Sequence, residues 1–276
     1  MNRLIPTPLL PERAWSLRKM RRLCFCIRLP GMSYEQIAIS ELKTWQRRMN
    51  SRPTFINKLS KRLQVKVNSY IPDKVHNVIT GTIKQMIRGV LFGAQHITKQ
   101  PAEPTSLEQT EERVRRIING YKHTAAAEGG VIGAGGFLLG LAELPILMGI
   151  KIKLLFDVAA AYGYSVKDYK ERIYILQIFG LAFSSQQHRK EVYAQMVNWE
   201  IQKQKLPDDI HEFDWRNFQQ EYRDYIDLAK MAQLIPGIGA VVGFVVNYRL
   251  LKKLGTTAMN AYRMRWVEEK KIALPV

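Results

Sequence analysis

Three acidic residues stand out because they lie in the least charged part of the chain. Glu128, Glu143 and Asp157 fall within residues 125–164, which contain five charged residues in total. Carboxylates between apolar helices can line a polar pocket or act as general acid and base. A simpler role for Glu128 is at a helix terminus, and for Glu143 as the partner of a helix dipole. Asp157 is spaced to form a salt bridge with Lys153. We favour the simpler roles, because acid–base catalysis requires the carboxylates to converge.

The other residue types that do chemistry show no recognised spacing. The five histidines do not form H-E-x-x-H or another paired-ligand pattern. Gly237 and Gly239 resemble the start of a dinucleotide-binding loop, but the third glycine of that fingerprint is replaced by Val242. Cys24 and Cys26 form a C-x-C pair without further ligands, which is weak evidence for a metal and indicates a reducing compartment. We therefore expect no catalytic, cofactor-binding or metal-binding residues, and favour an accessory protein over an enzyme.

Glycines recur at helical spacing through the apolar centre. Each residue of a helix turns about 100°, so four glycines would share one side: Gly129, Gly133, Gly136 and Gly140. Glycine costs about 1 kcal/mol relative to alanine inside a helix. Four on one side therefore predict close approach to the backbone of a second helix.

Pro145 predicts a break in the same stretch. Proline lacks an N–H and clashes with the carbonyl four residues before it. We therefore expect one helix near residues 128–142 and a second that begins at Pro145 and ends before Gly163. The second helix is apolar nearly all round, so it is expected to be buried in protein or in lipid.

A second apolar stretch, residues 231–248, contains no charged residue. Gly239 and Gly243 form a small-residue pair within it, which again predicts helix packing. Its length approaches the ~20 residues that a membrane-spanning helix needs. Three basic residues follow at once, as is typical of the cytoplasmic side of a membrane segment: Arg249, Lys252 and Lys253. For the central stretch, residues 125–164, we favour burial, or docking at the membrane interface, over spanning.

The positive charge lies at the two ends of the chain. The formal net charge is +18. Basic residues outnumber acidic ones by twelve to three in residues 32–100 and by seven to two in residues 231–276. One amphipathic pattern in the first of these regions has a basic face made of Lys58, Lys61, Arg62 and Lys66. Basic faces with few acidic residues indicate an anionic membrane surface. No zinc-finger, RNA-binding or helix-turn-helix signature occurs, so we expect no nucleic-acid partner.

The whole chain is patterned as helices. Apolar residues recur at helical spacing, and no segment alternates with period two. We therefore predict an all-α multi-helix bundle with two glycine-rich apolar segments and no sheet. After the central stretch, helices are expected at about 166–179, 188–205 and 213–232.

Residues 1–31 are predicted to be a basic extension ahead of the helical domain. They contain four prolines and a basic cluster, and Met32 is an alternative start of translation. The domain itself is expected to span residues 32–276, with basic amphipathic helices in 32–100 and the helical body in 105–276.

Four blocks of sequence resemble the EcsC protein family. They are MSYEQIAISELKTWQRRM at Met32, AELPILMGIKIKLLFDVAAAYGY in the centre, and IPGIGAVVGFVVNY followed by AYRMRW near the C-terminus. The family is encoded in a bacterial operon with the two parts of an ABC transporter linked to protein secretion. The resemblance therefore implies association with that membrane system. The family has no established activity or catalytic residues, so it implies no site residues and no cofactor.

These observations converge on a membrane-associated helical accessory protein. We expect its basic ends to bind anionic headgroups on the cytoplasmic side of the cell membrane, where it is peripheral or partly inserted. An enzyme or ligand-binding protein with Glu128, Glu143 and Asp157 in one acidic pocket is the alternative.

Overall fold

Helices make up nearly all the secondary structure of the protein. The computed structural model describes residues 32–51, 73–93, 100–103, 105–132, 136–184, 188–226 and 240–272. Within these ranges it contains no β-strand, and a single isolated bridge pairs Ser184 with Ile226. The predicted all-α class is confirmed.

The helices are numbered here in chain order. They are α1 (Tyr34–Asn50), α2 (Asp73–Arg88), α3 (Leu107–Ile132), α4 (Gly136–Ala161), α5 (Tyr169–Phe183), α6 (Arg189–Met196), α7 (Trp199–Gln202), α8 (Trp215–Tyr225) and α9 (Ala240–Glu268). A π-helical turn, Gly89–Gly93, continues α2, and short 3-10 turns cover Lys203–Lys205 and Ile210–Glu212.

The long helix α9 is the common packing partner of the body. It contacts α1, α3, α4, α5 and α7. It runs antiparallel to α3, since Gly255 lies against Ile118 while Arg263, two turns later, binds Glu111 near the start of α3. The body, residues Tyr34–Val276, forms one compact unit. The predicted boundary after residue 31 stays a prediction.

Helix α5 forms the centre of the core. Every residue from Tyr169 to Phe183 except Lys170 is buried. The helix begins where the Asp168 side chain caps it by accepting a hydrogen bond of 2.9 Å from the backbone N–H of Lys170. A helix buried on every side needs neighbours all round, and α5 has them in α4, α6 and α9.

The break expected at Pro145 is wrong. Helix α4 continues through this residue from Gly136 to Ala161. Pro145 itself is exposed, whereas Leu144 and Met148 beside it are buried in the core. The proline costs one backbone hydrogen bond on the outer side, and burial of the apolar inner side outweighs that loss. The stop at Gly163 is confirmed, since its φ of +86° is a left-handed conformation that favours glycine.

Two other boundaries also differ from expectation. The helix expected at 188–205 is divided into α6, α7 and a 3-10 turn, because Asn198 adopts a left-handed conformation with φ of 55°. The helix expected from residue 213 is described as α8, and residues 227–239 lie outside the described part of the chain.

None of the helices in the described ranges combines the length and apolar character that crossing a membrane requires. A glycine that the sequence analysis did not single out, Gly255, lies at a tight contact between α3 and α9. A Cβ atom built on Gly255 would lie 2.7 Å from Cδ1 of Ile118. Gly255 therefore allows the two helix backbones to pack closely.

This contact predicts opposite effects for two glycine-to-alanine substitutions. Gly255→Ala should lower the free energy of unfolding by about 1–3 kcal/mol, because Ile118 must move to admit the methyl group. Gly149→Ala in α4 has no atom within 4 Å of the new Cβ. It should raise the free energy of unfolding by up to about 1 kcal/mol through helix propensity. Urea denaturation measures both, and equal effects would show that α3 and α9 are not closely packed at Gly255.

Candidate functional site

A cluster of basic side chains lies where α3 and α9 pass each other. Lys122 of α3 places its Nζ atom 5.2 Å from the ring centroid of Tyr248 on α9. Arg249 and Lys252 follow within one turn of Tyr248, and both are exposed. Lys122 also donates a hydrogen bond of 2.9 Å to the amide oxygen of Asn119. We call Lys122, Arg249 and Lys252, together with Tyr248, the basic collar.

The collar brings like charges close together. Burial lowers the pKa of Lys122, and the positive charge of Lys252 lowers it further. Among the described residues, neither Lys122, Arg249 nor Lys252 forms an ion pair with a carboxylate. Like charges held together without a neutralising acid create a positive potential that attracts anions.

The collar borders the apolar ends of two helices. Helix α3 continues from Lys122 to Ile132, and α9 begins at Ala240, before Tyr248. At 1.5 Å per residue, these segments extend about 12–15 Å beyond the collar in the same direction. Residues 124–132 and 240–247 contain a single charged residue, Glu128. Helix α4 starts four residues after Ile132, so its first turn belongs to the same end of the bundle.

The predicted basic residues are divided between different environments. Arg249 and Lys252 belong to the collar. Lys253 instead donates a hydrogen bond to the backbone carbonyl of Ala182, which joins α9 to the end of α5. Four predicted lipid contacts lie outside the described residues: Lys58, Lys61, Arg62 and Lys66.

Asp157 is buried in a polar cluster between α3 and α4. Its carboxylate accepts a hydrogen bond of 2.8 Å from the Tyr121 hydroxyl and one of 3.3 Å from Lys153. Burial raises the pKa of Tyr121, and the bond to Asp157 raises it further. The predicted pairing of Lys153 with Asp157 is confirmed. Glu128 lies on α3 and Glu143 on α4, but their side chains are outside the described part, so an acidic pocket of all three stays a prediction.

The predicted glycine stripe does not belong to one helix. Gly129 lies in α3, whereas Gly136 and Gly140 lie in α4. The expectation of a single helix near 128–142 is therefore wrong, because the chain passes from α3 to α4 within that range. Gly133 and Gly239 lie outside the described residues, and Gly243 is on α9.

A buried ion pair that the sequence analysis missed joins α3 to α9. Glu111 is fully buried and Arg263 is 3% exposed. The guanidinium binds both carboxylate oxygens, with a distance of 2.5 Å from Nη2 to Oε2. Tyr162 donates a hydrogen bond of 3.2 Å to the same carboxylate, and Glu41 of α1 lies 2.8 Å from Nη1 of Arg263. Burial acts to lower the pKa of Arg263, but its bonds to Glu111 outweigh burial and the pKa is raised.

A second buried pair joins α5 to α9. Nη1 of Arg265 lies 2.5 Å from Oε2 of Glu171, and Tyr262 donates a bond of 2.7 Å to the other oxygen. The Arg265 guanidinium also lies 3.8 Å from the ring centroid of Tyr164, within range of a cation–π interaction. Burial raises the pKa of Glu171, while the neighbouring negative charge of Glu171 holds Arg265 in its charged form.

Helical geometry explains why the two arginines have separate partners. Residues two apart on a helix differ by about 200° in direction, so Arg263 and Arg265 face different neighbours. Both lie in the AYRMRW block, and the signal available from sequence was two arginines in an otherwise apolar helix. Their acidic partners are far away in sequence, so pairing was not predicted.

The two buried carboxylates are engaged in contacts between helices. Each buried carboxylate already accepts hydrogen bonds from an arginine and a tyrosine. Within the described ranges, no group of three or more His, Cys, Asp and Glu residues is placed to hold a metal ion. The basic collar lies on the surface, where Arg249 and Lys252 are exposed.

Comparison with known proteins gives a consistent family match. A model of the EcsC protein family matches residues 36–267. Protein EcsC of Bacillus subtilis (strain 168) is 41% identical over 239 residues, which cover 86% of this chain and 98% of that protein. The uncharacterized protein YdbA of the same organism is 23% identical over 254 residues, covering 84% and 92% of the two chains. No solved structure shows a significant match.

The buried pair of Glu111 and Arg263 predicts that the stability of the protein depends strongly on both residues. Arg263→Met should lower the free energy of unfolding by about 3–5 kcal/mol, because Glu111 is left charged and buried. The double variant Arg263→Met, Glu111→Met should recover most of that loss, since no buried charge remains. Arg116→Met, at an exposed position of α3, is the control and should change stability by less than about 0.5 kcal/mol. Equal losses in the single and double variants would contradict the pairing.

The buried tyrosines predict loss of stability at high pH. Burial raises the pKa of Tyr162, Tyr174 and Tyr262 well above 10.0, and raises that of Tyr34 to about 12. The unfolded chain releases these protons near pH 10 and the folded chain does not. The contribution of these buried tyrosines to the free energy of unfolding is therefore complete below pH 10 and is lost as the pH rises above 10.

For each such tyrosine the loss is about 1.4 kcal/mol per pH unit. Urea denaturation between pH 9 and 11, a range that spans the ordinary tyrosine pKa of ~10, measures how steeply the free energy of unfolding falls as pH rises. Tyr174→Phe should reduce this slope by about 1.4 kcal/mol per pH unit, which is the contribution of one buried tyrosine. An unchanged slope in that variant would show that Tyr174 ionises equally in both states.

Proposed function

The chain belongs to the EcsC protein family, and we propose that it is a membrane-associated helical accessory protein. The basic collar binds anionic lipid headgroups on the cytoplasmic side of the cell membrane. The apolar ends of α3, α4 and α9 dock into the outer part of the lipid layer beyond it.

The collar is the observation that carries this proposal. A lysine, an arginine and a second lysine lie together without an acidic partner among the described residues, and burial plus mutual repulsion already lowers the pKa of Lys122. Binding a phosphate-bearing surface relieves that repulsion. Near such a surface each basic side chain contributes about 1 kcal/mol.

The exposed aromatic ring of Tyr248 fits the same surface. Its exposed fraction is 43%, and it lies between the apolar start of α9 and the basic residues of the collar. Tyrosine is enriched at membrane interfaces because its ring is apolar and its hydroxyl is polar.

The apolar ends have the length of an interfacial element. An extension of about 12–15 Å reaches roughly half of the ~30 Å hydrocarbon core of a bilayer. With these ends inserted, the collar at their base would lie at headgroup level, which supports the proposal. The protein is therefore proposed to be peripheral or partly inserted.

The proposed protein partner is an ABC transporter linked to protein secretion, and this part rests on the family resemblance alone. Docking on the membrane domain of a transporter would cover the same apolar ends. Cross-linking in native membranes, followed by purification of the transporter subunits, tests it. The chain should be recovered with them, and its absence from the cross-linked subunits would argue against a direct contact.

Vesicle flotation tests the membrane proposal. The protein should float with vesicles that contain anionic phosphatidylglycerol and remain unbound with neutral phosphatidylcholine vesicles. Replacing Lys122, Arg249 and Lys252 together with glutamine should weaken binding about a hundredfold, since three contributions of about 1 kcal/mol are lost.

A charge-matched variant serves as the control. Lys43, Lys167 and Lys190 are exposed lysines outside the collar, and their replacement with glutamine changes the net charge equally. This variant should bind within a few-fold of the unmodified protein. High salt should weaken binding of the unmodified protein by screening. Equal losses in the two triple variants would show that net charge, and not the collar, determines binding.

A further inference from the structure

Two turns of α4 carry apolar residues on the side that faces away from the core. Ile146 is 62% exposed, the largest fraction of any large apolar side chain in the described part of the protein. On the inner side of the same turns, Leu144 and Met148 are buried. Contiguous apolar residues on a surface, unlike single ones, indicate a contact with a partner or a membrane. We call the following residues, of which the first three are exposed and the last is half-buried, the α4 outer face: Pro145, Ile146, Gly149 and Ile150.

The α4 outer face lies toward the same end of the bundle as the apolar start of α9. Asp157 of α4 binds Tyr121, whereas Tyr162, just after α4, binds Glu111, which comes earlier on α3. Helix α4 is therefore antiparallel to α3, as α9 is, so α4 and α9 run parallel. Ile146 precedes Asp157 by about 16 Å along the helix axis, in the direction in which α9 begins.

A basic residue follows the α4 outer face, as basic residues follow the apolar start of α9. The side chain of Lys153 is 44% exposed, and its Nζ atom lies 3.3 Å from the carboxylate of Asp157. Asp157 also accepts the hydroxyl of Tyr121, which is the chain neighbour of Lys122 in the collar. Lys153 therefore lies at the level of the collar. The order of apolar and then basic residues is the same on two parallel helices.

This order fits a lipid bilayer better than a protein partner. Ile146 lies about 10 Å beyond Lys153 along α4, and apolar faces of interfacial helices enter the boundary of headgroups and acyl chains by about 5–10 Å. The basic residues at the level of Lys153 are complementary to anionic headgroups. Protein interfaces are instead centred on tryptophan, tyrosine or arginine, and the α4 outer face contains none of these.

We propose, on the basis of the membrane association proposed above, that the α4 outer face enters the acyl-chain region of an anionic bilayer. Ile146 contacts the acyl chains, while Lys153 and the collar remain among the headgroups. The orientation of the protein on the membrane follows, because α4 and α9 then both point their N-terminal ends toward the lipid.

Ile201 supplies a matched control at the other end of the bundle. It is 59% exposed, nearly as much as Ile146. It follows Glu200, whose carboxylate lies 3.0 Å from Nη2 of Arg265. Arg265 lies about 24 Å beyond Arg249 along α9, on the side away from the apolar start. The two isoleucines therefore share residue type and exposure but are expected to differ in their distance from the bilayer.

A fluorescent label on single cysteines tests the orientation. In the full chain with Cys24 and Cys26 replaced by serine, Ile146→Cys and Ile201→Cys each carry an NBD fluorophore. On phosphatidylglycerol vesicles, the emission of the label at position 146 should shift to shorter wavelength, and lipids with a nitroxide on the acyl chain should quench it. The label at position 201 should show neither change.

Uncharged substitutions measure the contribution of the α4 outer face to binding. Ile146→Ser should weaken flotation with phosphatidylglycerol vesicles about tenfold, because burial of an isoleucine side chain is lost, and Ile201→Ser should leave it unchanged. Neither variant alters the net charge, so the ratio between them should persist at high salt, which screens the collar.

Gly149 provides a second position on the same face. A Cβ atom at Gly149 has no atom within 4 Å, so Gly149→Cys carries the label if Ile146→Cys does not fold. Gly149→Leu adds an apolar side chain and should strengthen binding several-fold.

Each contrary outcome has a distinct meaning. If both labelled proteins float with the vesicles and the label at position 146 is unchanged, the inference is overturned and the membrane proposal stands. If the unmodified protein does not float, both are overturned. If the label at position 146 responds to protein concentration without vesicles, a second copy of the chain covers the α4 outer face, and the inference is overturned.

Discussion

Two buried arginines on one helix are the constraint on which the bundle depends. Arg263 and Arg265 are each 3% exposed, and a buried guanidinium is tolerated only when it is paired and hydrogen-bonded. Glu111 of α3 supplies one partner and Glu171 of α5 the other. The two arginines point in different directions from α9. Because each must be paired with its carboxylate, α3 and α5 are held on separate sides of α9. The rotation and register of α9 are thereby specified.

The tyrosines extend this constraint through the core. Tyr162 and Tyr262 stack with ring centroids 5.2 Å apart, and each donates its hydroxyl to one of the two buried carboxylates. Their rings fill apolar space while their hydroxyls complete the hydrogen bonds that each carboxylate needs. Both buried carboxylates are consequently engaged by an arginine and a tyrosine, which explains why they serve structure. The charge available for a partner is left on the surface, in the collar.

Rigid packing also explains how two different surfaces arise on one small protein. The close approach at Gly255 and the Glu111 pair set α3 against α9, so Lys122 meets Tyr248 and Lys252 at the border of the apolar ends. On α5, the Glu171 pair and the hydrogen bond of Tyr174 to Ala261 fix the helix against α9, and a space lined by Gly180 and Tyr222 remains between α5 and α8. The collar and this space are thus both consequences of how tightly α3 and α5 are tied to α9.

Local features were predictable from the sequence because their causes are local. The helical class, the stop at Gly163 and the pairing of Lys153 with Asp157 each depend on residues within a turn or two of one another. Pro145 was misjudged because the packing that carries α4 past it involves other helices. The Glu111 and Glu171 pairs were missed because their arginine partners are 152 and 94 residues away. The space between α5 and α8 was missed because its walls come from separate elements.

By itself the sequence determined that the chain is helical, where it is apolar, and that its basic residues gather toward the ends. It did not determine which of those basic residues face water. Arg249 and Arg263 lie on the same helix and are the same residue type, yet one is exposed and the other is buried against Glu111. Only the tertiary structure decided this, because burying an arginine depends on whether a distant helix brings a carboxylate to meet it.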